Sequence, residues 1–129
     1  MSKRILVVED QEDNRRILRY LLRSADYQVL EEITGEDGVA AAERERPDLI
    51  LMDIQLPGLD GCEATRRIKG NPALRHIPII VVTSYALSGD DVRAFEAGCD
   101  AYVTKPFDLH QLLAKIQAYL REARTGDQR

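Results

Sequence analysis

Short apolar runs alternate along the chain with longer stretches whose apolar residues recur at helical spacing. The clearest run is Leu49–Met52, which leads directly into Asp53 and lies between Pro47 and the pair Pro57-Gly58. A run this short between turn residues predicts a strand, and its uniformly apolar character predicts burial on both faces of a parallel sheet. Open α/β sheets bind ligands at the carboxyl ends of their strands, so Asp53 occupies a candidate site.

The whole chain follows the same strand–helix alternation. The predicted strands are short and apolar, at residues 5–8, 27–31, 49–53, 77–83 and 101–103. The predicted helices have apolar residues three or four positions apart between capping residues, at 13–24, 34–46, 60–69, 88–97 and from 108 onward. Five strand–helix units joined by short connections predict an α/β fold, a doubly wound five-stranded parallel sheet with helices on both faces.

Composition narrows the class of protein. A chain of 129 residues with 44% hydrophobic and 31% charged residues suffices for one globular domain with a core. The net charge of −4 argues against nucleic acid as the main partner. Two cysteines indicate no disulfide framework, and no run has the length of a signal peptide or a membrane span. We therefore expect a cytoplasmic protein with reduced thiols and no membrane partner.

Polar residues follow four of the five predicted strands, and in a parallel sheet those ends share one edge. These residues are Glu9 and Asp10, Asp53, Thr83 and Ser84, and Thr104 and Lys105. Three carboxylates gathered there repel, since two unit charges about 4 Å apart cost about 4 kcal/mol at an effective dielectric near 20. The cluster therefore requires a cation. Oxygen ligands without His or Cys favour Mg²⁺ where phosphate is also bound.

The same residues suit phosphoryl chemistry. A carboxylate such as Asp53 can act as a nucleophile towards phosphorus. Lys105 can neutralise charge on the transferred group, and the hydroxyl of Thr83 can donate a hydrogen bond to a phosphoryl oxygen. The sequence thus predicts a pocket that binds both a divalent cation and a phosphoryl group.

Four segments together resemble the receiver domain of two-component response regulators. They are 8–10, 51–57 with Gly61, 82–84, and 102–107. Each segment alone is a weak signal, whereas all four in this order and at these separations are a strong one. The resemblance covers about residues 3 to 122 and implies the flavodoxin-like, CheY-like (βα)5 fold with strand order 2-1-3-4-5. The residues around Asp53 and Tyr102 further resemble single-domain regulators of the DivK type.

The resemblance implies a role for each residue of the phosphoryl site. Asp53 would be the phosphoacceptor, Thr83 the switch hydroxyl and Lys105 the phosphate-binding lysine. Tyr102 would be the aromatic residue that changes rotamer when the domain is phosphorylated.

The resemblance also implies a metal site for Mg²⁺ or Mn²⁺. Its ligands would come from Asp10, Asp53, the backbone carbonyl of Gln55 and, through water, Glu9. Gln55 and Tyr85 lie two residues past Asp53 and Thr83 respectively, at positions that tune dephosphorylation in the family.

The function implied is that of a single-domain response regulator, not a turnover enzyme. A sensor histidine kinase or histidine phosphotransfer protein would donate the phosphoryl group, and the signal would leave through a changed surface of the fourth helix, fifth strand and fifth helix. We expect a receiver domain over 1–124 and a polar tail over 125–129. A downstream protein partner is expected on the changed surface, with the chain a monomer or a phosphorylation-dependent dimer that binds no nucleic acid directly.

Two other classes share part of the pattern. Haloacid-dehalogenase-type phosphohydrolases also use a strand-end Asp, a Thr or Ser, a Lys and Mg²⁺, but they resemble Asp-x-Asp with the second Asp as general acid and base. Here that position is Gln55, which cannot transfer protons. Flavodoxins carry a Ser/Thr/Gly-rich phosphate loop after the first strand, and this chain has none.

The remaining ionisable residues receive structural interpretations. His76 and His110 are assigned no chemistry. The arginines of the first helix are interpreted as a mostly solvated face, part of which could touch a kinase; they are Arg15, Arg16, Arg19 and Arg23.

Overall fold

The computed structural model describes residues 2–83, 89–106 and 108–127, with side chains throughout except at 90 and 122–127. Within these ranges strands and helices alternate as predicted. The strands are β1 Arg4–Val8, β2 Gln28–Glu32, β3 Leu49–Met52, β4 Ile79–Thr83 and β5 Ala101–Thr104. The helices are α1 Glu12–Ser24, α2 Gly35–Glu45, α3 Gly61–Gly70, α4 Asp90–Glu96 and α5 Leu109–Asp127.

The strands form one parallel sheet in the order β2-β1-β3-β4-β5, which confirms the predicted topology. β1 and β3 are neighbours, with Val8 aligned to Met52. The register continues past the strand ends, because the backbone N–H of Asp53 donates to the carbonyl of Val8 at 3.0 Å. The residues that follow β1 and β3 therefore emerge side by side at the point where the strand order reverses.

Alternation along each strand places one apolar set on each face of the sheet. On one face, Leu6, Val8, Ile50, Met52 and Val81 pack with residues of α2, α3 and α4. On the other face, Ile5, Val7, Leu49, Leu51 and Val82 pack with residues of α1 and α5. The two cores explain why β1, β3 and β4 read as continuously apolar runs, since both faces of these strands are covered.

Local capping sets where the helices begin. The Asp60 carboxylate accepts from the backbone N–H of Glu63 at 2.9 Å, so Asp60 is the N-cap of α3, at the start of the helix predicted over 60–69. Asp108 likewise accepts from the backbone N–H groups of His110 and Gln111 at the start of α5. Each bond satisfies a donor that the first helical turn leaves without a partner inside the helix. These bonds anchor the loops that precede α3 and α5.

Two predicted apolar faces are narrower than the sequence indicated. Ile17 of α1 is 47% exposed and Leu109 of α5 is 39% exposed, although both belong to the apolar residues that recur at helical spacing. The buried apolar residues of the two helices form a central line that reaches the sheet, namely Leu18, Leu22, Leu112, Ile116 and Leu120, and Leu21 and Tyr119 pack beside it. A helix packed on a sheet buries a stripe, and residues at its edge stay in solvent.

At the carboxyl end of the chain, α5 continues to Asp127 and so takes in part of the segment 125–129. The predicted start of the fourth helix at Ser88 lies outside the described residues, as do Ser84, Tyr85 and Phe107. None of the helices in the described ranges combines the length and the apolar character that crossing a bilayer requires.

Candidate functional site

Three carboxylates meet at the carboxyl edge of the sheet, as the strand ends predicted. Glu9 and Asp10 follow β1, Asp53 follows β3, and one oxygen from each lies within 4.8 Å of the others. Glu9 and Asp53 are buried, at 2% and 6% exposure, while Asp10 is partly exposed. The cluster therefore consists of two largely desolvated carboxylates and one that opens towards solvent.

Lys105 reaches the same cluster from the far side of the sheet. Its ammonium donates to the Glu9 carboxylate and, at 3.2 Å, to Oδ2 of Asp53. Its side chain is only 8% exposed. Its backbone N–H donates to the carbonyl of Thr83 at 2.6 Å, which fixes the start of the loop after β5. One ammonium against three carboxylates leaves the site with excess negative charge, a condition that favours a bound cation.

The cluster raises the pKa of Asp53 from 3.8 to about 6. Burial is the largest cause, because it penalises the charged form, and the neighbouring Glu9 carboxylate adds to the effect. Lys105 and the backbone N–H of Gln55 oppose the rise. At neutral pH most Asp53 carboxylates are still ionised, and an ionised carboxylate is the form able to act as a nucleophile.

The loop after β3 holds Asp53 through backbone contacts. Oδ1 of Asp53 accepts from the N–H of Gln55 at 3.2 Å, and the N–H of Gly61 donates to the carbonyl of Ile54 at 2.8 Å. A Cβ added at Gly61 would lie 1.8 Å from the carbonyl oxygen of Asp53, far closer than atoms can approach. Only glycine therefore lets α3 begin directly beneath the Asp53 peptide.

These side chains line a cleft that opens at the sheet edge. Its lining residues are Asp10, Gln11, Asn14, Asp53, Gln55, Leu56 and Lys105. Gln11 and Asn14 were not among the predicted site residues. The N–H of Gln11 donates to the Glu9 carboxylate at 3.1 Å, so the start of α1 helps hold that side chain. A signal for this role was present, because Gln11 directly follows the acidic pair and Asn14 lies four positions after Asp10.

Thr83 and Tyr102 lie on one face of the sheet. Thr83 ends β4 and is 1% exposed, whereas Tyr102 of β5 is aligned with Val81, two residues earlier. Side chains at 81 and 83 point to the same face, and so does that of Tyr102. The Tyr102 ring is half-buried against the core formed with α2, α3 and α4, and its hydroxyl oxygen is shielded from solvent.

The interpretation of the α1 arginines as a solvated face is wrong for two of the four. Arg15 donates to the backbone carbonyls of Glu9 and Asp10, and Arg19 forms a two-pronged hydrogen bond with Glu31 of β2. Helical periodicity could not reveal these contacts, because a long arginine side chain can fold back along the helix towards distant partners. The other two, at positions 16 and 23, are exposed as expected.

Comparison with known proteins gives the family. A sequence model of the response regulator receiver domain matches residues 5–117. The chain belongs to the response regulator receiver family. It is 41% identical over 123 residues to the polar-differentiation response regulator DivK of Brucella anthropi, an alignment that covers 95% of this chain and 100% of the relative. The resemblance drawn from the four sequence segments is thereby confirmed.

Solved structures of receiver domains share the fold. The receiver domain of a sensor histidine kinase from Pseudomonas aeruginosa, solved with a magnesium ion coordinated in its active-site cleft, is 40% identical with a TM-score of 0.87. The alignment covers 93% of this chain and 98% of that one. A CheY-like receiver from Methanospirillum hungatei is 32% identical with a TM-score of 0.91, covering 98% and 99% of the two chains. Family membership leaves the haloacid-dehalogenase and flavodoxin alternatives without support.

Proposed function

We propose that Asp53 is the phosphoacceptor of this receiver domain and that the phosphoryl donor is a phosphohistidine on a sensor histidine kinase or histidine phosphotransfer protein. One observation carries the proposal. Asp53 is a buried carboxylate with Oδ2 bonded to the Lys105 ammonium at 3.2 Å and Oδ1 bonded to the N–H of Gln55 at 3.2 Å. Both carboxylate oxygens are therefore held in place at the carboxyl edge of the sheet, where the cleft opens.

In the transfer step an Asp53 oxygen forms a bond to phosphorus while the phosphorus–nitrogen bond of the donor breaks. The electron pair of the broken bond remains on the imidazole, which leaves as a neutral ring when its other nitrogen carries a proton. Lys105 already lies against Asp53, so its ammonium can pass to a phosphoryl oxygen as the negative charge moves there. Thr83, at the end of the adjacent strand β4, can donate a hydrogen bond from its hydroxyl group to another phosphoryl oxygen.

The donor set fits a hard divalent cation. Glu9, Asp10, Asp53 and the backbone carbonyl of Gln55 would supply only oxygen ligands, the type that Mg²⁺ and Mn²⁺ prefer. The excess of carboxylates over ammonium groups at the site supports the assignment. When bound, the metal would neutralise charge on the phosphoryl oxygens. The relative from Pseudomonas aeruginosa, which holds magnesium in its cleft, supports the same assignment.

The signal leaves, in this proposal, through the face formed by α4, β5 and α5. Thr83 and Lys105 lie next to the phosphoryl position and begin the connections to α4 and α5, and Tyr102 lies between them on β5. Movement of Thr83 towards the phosphoryl group would open space for the Tyr102 ring and shift a pre-existing population of the domain. Exposed apolar side chains on that face, Val92 and Phe95 of α4, suit a protein partner or a second copy of the chain.

The domain would act as a signalling protein whose chemistry is limited to its own phosphorylation and dephosphorylation. Gln55 occupies the position at which a phosphohydrolase of the haloacid-dehalogenase type carries its proton-transferring Asp. An amide cannot take that role. We therefore expect one acyl phosphate per chain and no turnover of phosphate esters.

The test is labelling with phosphoramidate or acetyl phosphate in Mg²⁺, followed by intact mass and peptide mapping. Wild-type chain should gain one phosphoryl group on Asp53, and Asp53→Asn should gain none. The matched control is Asp26→Asn, which makes the same chemical change at an exposed residue before β2, on the opposite edge of the sheet. Asp26 has a φ of 68°, a conformation that asparagine tolerates well, so the control should label normally. Persistent labelling of Asp53→Asn at another residue would sink the assignment.

A further inference from the structure

The Arg15 side chain connects the acidic loop after β1, residues Glu9 and Asp10, to other elements of the fold. Its Nη1 donates to the carbonyl of Glu9 at 2.9 Å and to the carbonyl of Asp10 at 3.0 Å. The Arg15 side chain is only 15% exposed. One nitrogen thus holds two successive peptide groups, those that follow the two carboxylate-bearing residues.

The two acidic residues depend on Arg15 to different degrees. Glu9 is also held by its backbone N–H, which donates to Glu32 at 3.0 Å, and by contacts of its carboxylate with Gln11 and Lys105. For Asp10, the bond from Arg15 is the sole side-chain hydrogen bond within residues 2–83, 89–106 and 108–127. Asp10 is therefore the member of the carboxylate cluster whose direction rests most on Arg15.

Arg15 is itself fixed by carboxylates on two other elements. Its Nη2 donates to Glu12 of α1 at 2.7 Å, and its Nε lies 3.5 Å from Glu31 of β2. Glu31 is held in turn by Arg19, at 2.6 and 2.8 Å. That hydrogen bond is the largest cause of a lowered pKa at Glu31, which therefore stays ionised at neutral pH. The acidic loop is thereby tied to the edge strand β2.

We propose that Arg15 is a positioning residue for the metal and phosphoryl site. By holding the carbonyls of Glu9 and Asp10, it sets the direction in which their carboxylates leave the backbone, Asp10 above all. A planar guanidinium with five donors can bond two carbonyls and two carboxylates together, whereas a lysine ammonium on a flexible stem cannot. Groups that orient ligands in this way typically change metal affinity about 10- to 100-fold when removed. The inference rests on the function proposed above.

The first test measures Mg²⁺ affinity without any phosphoryl donor. Backbone amide shifts around the site are followed during Mg²⁺ titration of the wild-type chain, Arg15→Ala and Arg16→Ala. Arg15→Ala should raise the Kd for Mg²⁺ at least about tenfold. Arg16→Ala is the matched control, since Arg16 is the next residue on the same helix and is exposed; its Kd should match the wild type.

A conservative variant separates positioning from charge and from folding. Arg15→Lys keeps the positive charge and most of the stem, so it should fold even where Arg15→Ala does not, yet its Kd should remain raised. In both variants the Mg²⁺ concentration that gives the half-maximal rate of phosphoramidate labelling should be higher than in the wild type. The ratio of the two concentrations should be close to the ratio of the Kd values. A Kd within twofold of wild type in a folded Arg15→Lys chain would show that charge alone suffices and would overturn the proposal.

The outcomes distinguish this inference from the proposed function. A wild-type chain that neither binds Mg²⁺ nor labels on Asp53 refutes the proposed function, and the role of Arg15 with it. A wild-type chain that does both, alongside an Arg15→Ala chain that melts earlier but keeps the wild-type Kd, leaves the function intact. That pattern assigns Arg15 to the stability of the fold alone and refutes its positioning role.

Discussion

Replacing Asp53 with asparagine should make the metal-free protein more stable, by an amount that depends on pH. The carboxylate is buried beside Glu9, and its pKa is raised from 3.8 to about 6. In the unfolded chain the same group ionises near its ordinary pKa. Asparagine has nearly the same shape as the protonated carboxyl group, and its single oxygen can accept from the N–H of Gln55 or from Lys105. Its NH2 group cannot accept, so the substitution removes the ionisation, which depends on pH, and one of the two bonds.

The magnitude follows from the raised pKa of Asp53. Each pKa unit corresponds to about 1.4 kcal/mol, so the rise at Asp53 is worth about 3 kcal/mol. Between pH 3.8 and about 6 the folded chain binds more protons at this site than the unfolded chain, and stability therefore falls as pH rises. The stability of Asp53→Asn relative to the wild type should therefore rise by about 3 kcal/mol between pH about 3, where both forms of the wild-type chain hold the proton, and pH about 7.5.

The assay is urea denaturation of the wild type and of Asp53→Asn in EDTA, monitored by circular dichroism at a series of pH values across that range. A gain of about 3 kcal/mol in a chain of this length should also raise Tm by roughly 10 °C at neutral pH. Asp26→Asn serves as the control, because it removes an exposed carboxylate and should leave the pH profile of the wild type unchanged. A stability difference between Asp53→Asn and wild type that is constant with pH would refute the argument, since ionisation of Asp53 would then not be its cause.

Three further predictions concern the same site. Asp10→Asn should raise Tm in EDTA, because it relieves repulsion within the carboxylate cluster. The same substitution should abolish the stabilisation by Mg²⁺, which for the wild type is about 2.7 kcal/mol at an Mg²⁺ concentration of 100 times the Kd. Unchanged Mg²⁺ stabilisation would count against Asp10 as a ligand. Gly61→Ala should cost about 3 kcal/mol or more in urea denaturation, because its Cβ would lie 1.8 Å from a backbone oxygen, whereas Gly70→Ala, with no atom within 4 Å, should be tolerated. Beryllofluoride with Mg²⁺ should shift backbone NMR signals from Asp53 through Thr83 to residues 90–95 and 102–113, and shifts confined to the pocket would refute the proposed output face.

The fold and the carboxylate cluster were predictable from the sequence because both depend on local pattern and topology. Apolar runs such as Leu49–Met52 can be stable only where both faces are covered, which requires a parallel sheet between two layers of helices. Parallel strands end at one edge, so residues that follow β1, β3 and β5 meet there although up to 96 positions separate them. Capping chemistry is equally local, which is why the Asp60 start of α3 was predictable.

What the tertiary structure decided is which charged groups pair and how far each is buried. Lys105 contacts both Glu9 and Asp53, and Arg15 bonds backbone carbonyls where helical periodicity predicted a solvated side chain. Periodicity reports the direction in which a side chain leaves the helix. It does not report where a long flexible cation ends, because that depends on carbonyls and carboxylates brought near by other elements. The raised pKa of Asp53 arises in the same way, since burial and the charge of Glu9 act together only once the sheet has formed.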